Sequence, residues 1–362
     1  MKFIHTADLH LCSSFAASAL ATDTALEHRK QLWATFNNII DACINDDIDL
    51  LLISGDLFET DYASITDIKR AFDAFKRIPN TKIFISCGNH DPLSANSYYK
   101  LVEYPKNVYI FPNRLTFVEL DEFNLAVYGF SWDKNRYETP PFSIPSADPS
   151  KTNILCLHAD VITASHYFPL KPKDFAGKNF DYIALGHIHK PMQVDNKLFY
   201  CGSPEPLNFS EEGRHGYFKG EILDGKLKVD FVNCARRRFC CIEVKVTGEM
   251  DSNDIKAAIA SKCKINPSDN IFDIKFTGNI NPQINLADII SDINDKFYCL
   301  KYTDETSLDY DIKKLYNENK NNIIGKYISS LMEKATSDKT AYKALFLGID
   351  ALIKNNEGGL SK

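Results

Sequence analysis

The sequence predicts an α/β protein, and three observations carry that prediction. Short apolar, β-branched runs alternate with longer stretches of helical periodicity up to about residue 235. Five of those runs give way to Asp, Asn or His where the chain must turn, and open α/β sheets place their chemistry at strand carboxyl ends. A second strand–helix alternation follows a change in composition near Arg236-Arg237-Arg238. With 362 residues, 44% of them hydrophobic, the chain can bury a sizeable core and should hold more than one domain.

Residues 2–5 read as the first strand, with Asp8-Leu9-His10 at its end. In extended chain alternate residues share a side, so Asp8 and His10 would face one way, a hard oxygen beside a nitrogen. Residues 25–44 read as a helix whose inward stripe is Leu26, Trp33, Phe36, Ile39, Ile40 and Ile44. Residues 49–53 form the next strand and end in Gly55-Asp56, where Gly permits a tight turn. Asp56 would be thrown out beside Asp8, its two oxygens suited to bridge two cations, and Glu59 and Asp61 read as solvated loop charges. Residues 63–77 read as a helix with Ile65, Ile68, Phe72 and Phe75 inward.

The strand over 82–86 breaks at Gly88-Asn89-His90-Asp91, the stretch the other pieces look built to meet. His90 and Asp91 are the proton-transfer candidates there. Tyr98 and Tyr99 open a short helix, residues 107–111, 115–119 and 124–130 read as a β-meander, and Pro140 to Pro149 is a loop. The strand over 153–157 ends in His158, and that over 180–185 ends in Gly186-His187-Ile188-His189, whose two histidines would face one side in extended chain. His166 stands in a loop and is left out of the ligand set. Residues 217–223 and 227–232 read as a hairpin over Asp224-Gly225.

Alone each motif is modest; a DxH is as readily a turn Asp and a core His. In order, and each at a strand end, the five are specific, because apolar strands have no structural reason to end repeatedly in metal-ligand types. With Phe3-Ile4-His5-Thr6-Ala7-Asp8-Leu9-His10-Leu11, Gly55-Asp56-Leu57-Phe58, Gly186-His187-Ile188-His189-Lys190-Pro191, Gly202-Ser203-Pro204 and Phe209-Ser210-Glu211-Glu212-Gly213, the sequence resembles the calcineurin-like metallophosphoesterases. Within them it is similar to the DNA repair exonuclease branch, the SbcD- and YhaO-like nuclease subunits, over residues 1 to about 235.

That resemblance implies a four-layer α/β/β/α sandwich and a centre of two divalent metal ions, usually Mn²⁺. Carried over by position, Asp8, His10, Asp56 and His189 would hold one ion and Asp56, Asn89, His158 and His187 the other. Asp56 would bridge, while His90 would stay off the metals and give a proton. The sequence departs from the family at Cys12, where Gly is common, and at Glu59-Thr60-Asp61-Tyr62-Ala63. These departures touch substrate fit and spare the ligands. Several imidazoles in the set suit Mn²⁺, Fe or Zn²⁺ better than Mg²⁺.

Net charge is −6, from 42 Lys+Arg against 48 Asp+Glu, which argues against a passive DNA coat. A nucleic-acid contact would have to come from a local basic patch or from bound metal. The ten cysteines show no CxxC spacing and fit a reducing cytoplasm, and no apolar run is long enough to span a membrane.

Beyond Arg236-Arg237-Arg238, residues 239–247, 252–262, 270–277, 286–295 and 297–303 alternate strand and helix as a small α/β module. The family implies a capping domain there, over 236–305, to guide DNA over the metals. From about 306 to 362 the chain reads as helical and polar, with one stripe at Ile324, Tyr327, Ile328 and Leu331 and another at Tyr342, Leu345, Phe346, Ile349, Leu352 and Ile353. Gly358 and Gly359 read as a frayed end. The stripes fit packing within the chain or helix-in-groove docking, and the resemblance implies docking to a coiled-coil ATPase of the SbcC or YhaN type. It also implies pairing of two copies through the segments near 63–77 and 97–104.

The leading reading is therefore a two-metal phosphodiesterase acting on double-stranded DNA ends or single strands in repair. The alternative is a phosphatase or small-molecule phosphodiesterase with the same centre, since fold and metals do not fix substrate. A non-enzymatic scaffold would need a missing ligand, and none is missing.

Overall fold

The computed structural model describes residues 1–15, 20, 22–163 and 167–357; His166, Gly358 and Gly359 lie outside them. The chain divides into two compact units, Met1–Arg238 and Phe239–Lys362. In the first, the elements run β1 (Lys2–Thr6), α1 (Thr22–Asn45), β2 (Leu50–Ile53), α2 (Ile65–Phe75), β3 (Lys82–Ile85), β4 (Val108–Ile110), β5 (Thr116–Leu120), β6 (Leu125–Gly129) and β7 (Thr152–His158). There follow β8 (Tyr182–Gly186), β9 (Met192–Gln193), β10 (Leu198–Tyr200), β11 (Gly216–Leu223) and β12 (Lys226–Asn233). Two six-stranded sheets result, with orders β12-β11-β1-β2-β3-β4 and β5-β6-β7-β8-β10-β9.

Alternation along the strands stacks the layers. Ile4, Leu51, Ile53, Ile83 and Ile85 point to one side and pack with Trp33, Phe36, Ile40, Phe72 and Phe75 of the two helices. The intervening residues, Phe3, Leu50, Leu52 and Phe84, point the other way and meet Val127, Ile154, Tyr182 and Ala184 of the second sheet. The far face of that sheet is covered by Trp132, Tyr137, Ile144, Phe168 and Phe175. These come from loops and the short 3₁₀ turn Pro172–Phe175, so the fourth layer of the sandwich is irregular chain among the described residues.

α2 starts where a capping box fixes it: Asp67 N–H donates to Ser64 Oγ at 3.3 Å and Ser64 N–H to Asp67 Oδ2 at 2.9 Å. Leu26, Ile44 and Ile65, placed in the inward stripes from periodicity, are instead 53%, 47% and 37% exposed. Ile44 and Ile65 lie in terminal turns of α1 and α2, and Leu26 in the second turn of α1. The meander also does not form. β4 pairs parallel with β3 in the first sheet, whereas β5 and β6 pair antiparallel in the second. Periodicity detects a strand but not which sheet accepts it. The closing hairpin is present, with Asp224 (φ 51°) and Gly225 (φ 71°) both left-handed, as a two-residue turn matching strand twist requires.

The second unit holds β13 (Phe239–Val246), α3 (Ser252–Lys262), β14 (Ile271–Ile280), α4 (Leu286–Ile293), β15 (Cys299–Leu308), α5 (Ile312–Glu318), α6 (Ile323–Leu331) and α7 (Lys339–Glu357). Its three strands are parallel in sequence order, and Ile255, Ile259, Ile289 and Ile290 of α3 and α4 share a core with Val244, Ile274 and Phe276. Ile324 and Ile328 of α6 close a separate core with Leu345, Phe346 and Ile349 of α7, against which Leu308 at the end of β15 packs. Both helical stripes are thus largely used within the chain, while Leu347 stays 69% exposed. No helix among the described residues is long and apolar enough to cross a membrane. Cys12, Cys43, Cys87, Cys156, Cys201, Cys234 and Cys263 are free thiols.

Candidate metal centre

The carboxyl ends of β1, β2, β3, β7 and β8 converge on one cluster. Two loops are laced together first: Asp8 N–H donates to Gly55 O, His10 N–H to Asp56 O and Leu11 N–H to Leu57 O, each at 3.0 Å. This ladder sets Asp8 and His10 beside Asp56. The backbone is not extended, as the DxH and HxH spacings suggested; Asp8 (φ 52°), His10 (φ 43°), Asp56 (φ 50°) and His187 (φ 97°) are all left-handed. Non-glycine residues held there are concentrated at functional sites. Two glycines allow close approach. A Cβ on Gly55 would overlap the His158 ring, and one on Gly88 would overlap the Asp56 carboxylate.

Three histidines are wired alike. His158 Nδ1 lies 2.9 Å from Ser54 O, His10 Nδ1 3.2 Å from Glu59 Oε2 and His189 Nδ1 3.0 Å from Glu211 Oε1. An acceptor at Nδ1 fixes the proton there and leaves Nε2 as the coordinating nitrogen, the arrangement by which proteins present histidine to metals. The Nε2 atoms of His10 and His189 then face each other, and that of His158 faces side-chain oxygens. His10 Nε2 is 3.2 Å from His189 Nε2 and 3.7 Å from Asp56 Oδ2; His158 Nε2 is 3.2 Å from Asp56 Oδ2 and 3.0 Å from Asn89 Oδ1. Asp8 Oδ1 lies 3.9 Å from His158 Nδ1 and 4.0 Å from His189 Nε2.

Ligand atoms lie within 4.8 Å of one another in three overlapping groups: Asp8 with His10 and His189, His10 with Asp56 and His90, and Asp8 with Asp56 and His158. Lone pairs meeting lone pairs in this way suit divalent cations. Asp56 Oδ2 stands between His10 and His158, so a single oxygen is placed to be shared, while Oδ1 accepts the His90 N–H at 2.8 Å.

Electrostatics reflect the crowding. Burial alone would raise Asp56, but His158 and His10 hold it well below the usual carboxylate range. Asp8 is pushed up, chiefly by burial. Burial works against charge on His158 and His189, yet Asp56 in the first case and Glu211 with Asp8 in the second raise each to about 9.

His187 contributes differently from the expected ligand. Its N–H donates to both Asp8 oxygens, at 3.0 and 3.1 Å, and its ring packs edge-on against His158 with centroids 5.3 Å apart. It belongs to none of the three groups. Asp91 also differs from the proton-transfer role expected of it. It is fully buried and accepts from the N–H groups of Gly88 (2.7 Å), Leu57 (2.9 Å) and Asp56 (3.2 Å) and from the Tyr99 hydroxyl (2.7 Å). It pins the two glycine turns to each other. His90 is the accessible member, with a side chain 43% exposed, and its Nδ1 lies 2.9 Å from Glu59 Oε1.

Sequence reading missed Glu59 and Glu211. Glu59, taken for a solvated charge, is mostly buried and spans His10 and His90; burial would raise it, but those two histidines bring it down to about 2. Glu211 also accepts from Leu207 N–H at 2.9 Å and Asn208 Nδ2 at 2.8 Å. Its place within a motif of the resembled branch was the signal available for it.

Residues 1–191 match the family model described as calcineurin-like phosphoesterase. The chain belongs to that family. That family is one of metal-dependent phosphoester hydrolases, and the cluster supplies candidate residue groups for divalent metals. It is similar to YhaO of Bacillus subtilis (strain 168), described as an uncharacterized metallophosphoesterase, at 27% identity over 246 residues, covering 64% of this chain and 60% of that protein. The chain thus matches about 60% of that relative's length. Among solved structures, the protein TT1561 of Thermus thermophilus aligns with a TM-score of 0.40 at 12% identity, over 64% of this chain and 98% of that one.

Proposed function

We propose that this phosphoesterase is a Mn²⁺-dependent DNA nuclease of the repair type, working in the cytoplasm with a coiled-coil ATPase. The observation that carries its hydrolytic half is the pair of Nδ1-anchored histidines, His10 and His158, aimed at a shared Asp56 oxygen, with the likewise anchored His189 against His10 and Asp8. The DNA half is supported by the motifs shared with the exonuclease branch at 186–191, 202–204 and 209–213, and by a second unit beyond the phosphoesterase fold. Asp8, His10, Asp56 and His189 would hold one cation, and Asp56, Asn89 and His158, backed by His187, the other.

When bound, such cations neutralise a phosphodiester's charge and lower the pKa of an attacking water. His90 delivers a proton to the leaving oxygen. Burial would lower its pKa, but the Glu59 hydrogen bond and the Asp56 charge outweigh that and raise it, which keeps the ring protonated further up the pH scale. Glu59 holds Nδ1, so Nε2 is the nitrogen that gives the proton.

The test compares turnover on duplex ends, single-stranded DNA and p-nitrophenyl esters, with Mn²⁺ and with excess chelator. DNA cleavage that needs Mn²⁺ is expected. Full rate in chelator would overturn the mechanism, and turnover confined to the small esters would replace the nuclease with a phosphatase or small-molecule phosphodiesterase.

A further inference from the structure

A trough leads away from the metal cluster along the chain that follows His189. Its inner part, of about 390 Å³, is bounded by His187, His189 and Glu211. Its outer part, of about 350 Å³, is floored by Met192, Phe218 and Phe231. Lys190 and Glu212 line both parts, so the two are continuous. The outer part lies where edge strands of the two sheets come together, since Met192 is on β9 and Phe231 on β12.

Its chemistry is mixed in a particular way. Phe218 and Phe231 meet edge to face with centroids 5.5 Å apart, and Met192 completes an apolar floor. Lys190 and Arg214 stand exposed at the rim, and among the described residues the only carboxylate along this outer part is Glu212. An anionic protein that places two cations against one carboxylate beside a phosphoester site is set to receive an anion there. An aromatic floor below the cations is set to receive a flat apolar group. A nucleotide carries both, a phosphate and a base.

We infer that this trough binds the nucleotide next to the scissile phosphate, with its base unpaired on the Met192–Phe218–Phe231 floor and its phosphate between Lys190 and Arg214. The inference rests on the nuclease reading and sharpens it. An outer part of about 350 Å³ has room for one base and its sugar, and seating a base on this floor unpaired means that a duplex frays at its end before it is cut, whereas a single strand needs no such opening.

The full chain with Mn²⁺ tests this on bis(p-nitrophenyl) phosphate, a single-stranded oligonucleotide and a blunt duplex of the same sequence. The wild type should cut the single strand faster than the duplex. In Arg214→Gln and in Met192→Ala, the ratio of kcat/KM on the single strand to that on bis(p-nitrophenyl) phosphate should fall by about fivefold or more, mainly through KM. A smaller fall in both variants, or a preference for the duplex, overturns the inference. Binding is read separately, by fluorescence anisotropy of a labelled phosphorothioate pentanucleotide that resists hydrolysis. Its Kd should rise by about fivefold or more in Arg214→Gln. An unchanged Kd overturns the trough even if no ester is hydrolysed, whereas absence of hydrolysis together with the Kd shift would sink only the nuclease reading.

Discussion

At the scale of single residues, the proposed mechanism gives His90 proton delivery and Glu211 the support of a metal ligand, and the two can be tested apart. His90 is exposed and tied to Glu59, so His90→Gln should keep the metal content of the wild type while kcat falls by roughly 10²-fold or more. Metal analysis alongside steady-state rates checks both halves. Glu211 touches the centre only through His189, so Glu211→Gln should weaken metal affinity by roughly 10–100-fold, read by titration calorimetry, with little change in the melting of the metal-free protein. His5 gives a pH prediction. Burial between the sheets, where its Nδ1 meets the Tyr182 hydroxyl at 2.8 Å, pushes it down to about 3. The unfolded chain takes up this proton near 6.5 and the folded chain only near 3. This contribution to stability is therefore complete above pH 6.5 and declines as pH falls toward 3, by at most roughly 1.4 kcal/mol per pH unit. Denaturant melts of His5→Leu across that window should show a shallower slope than the wild type.

At the scale of elements, most strands and helices were legible because apolar runs bounded by Gly and polar residues have few other uses. β1, β2, β3, β7 and β8 end where residue type said they would, and Asp8, His10, Asp56, Asn89, His158 and His189 do meet. The geometry that brings them together was not legible. Spacing rules assume extended chain, and these turns are left-handed. Glu59 and Glu211 were hidden because a carboxylate in a loop looks the same whether water or an imidazole sits against it. The assignment of β4 and β5 to different sheets depends on long-range pairing that no local pattern records. Gly88→Ala tests how tightly the turns are fitted, since its Cβ would collide with Asp56. The variant should fold, as judged by circular dichroism, and lose metal affinity as strongly as Asp56→Ala.

At the scale of the whole molecule, the boundary matters for any truncation. A cut at residue 306 would fall inside β15 and remove Leu308 from the core of the terminal helices. The natural break is between Arg238 and Phe239. A chain ending at Arg238 keeps the three cores of the sandwich and every candidate ligand, so it should melt cooperatively and bind metal. If the second unit is what the ATPase grips, the same shortened chain should fail to co-purify with it.

The left-handed turns at Asp8, His10 and Asp56 narrow what could ever replace them. Asp, Asn and His are the side chains that both tolerate such a conformation and carry a donor atom. A glutamate or cysteine grafted at these positions would still offer an electron pair, but from a backbone reluctant to bend that way. Variation here is restricted twice, once by the ion and once by the main chain, so re-engineering the site toward thiolate ligation would require rebuilding the loops as well as exchanging their side chains.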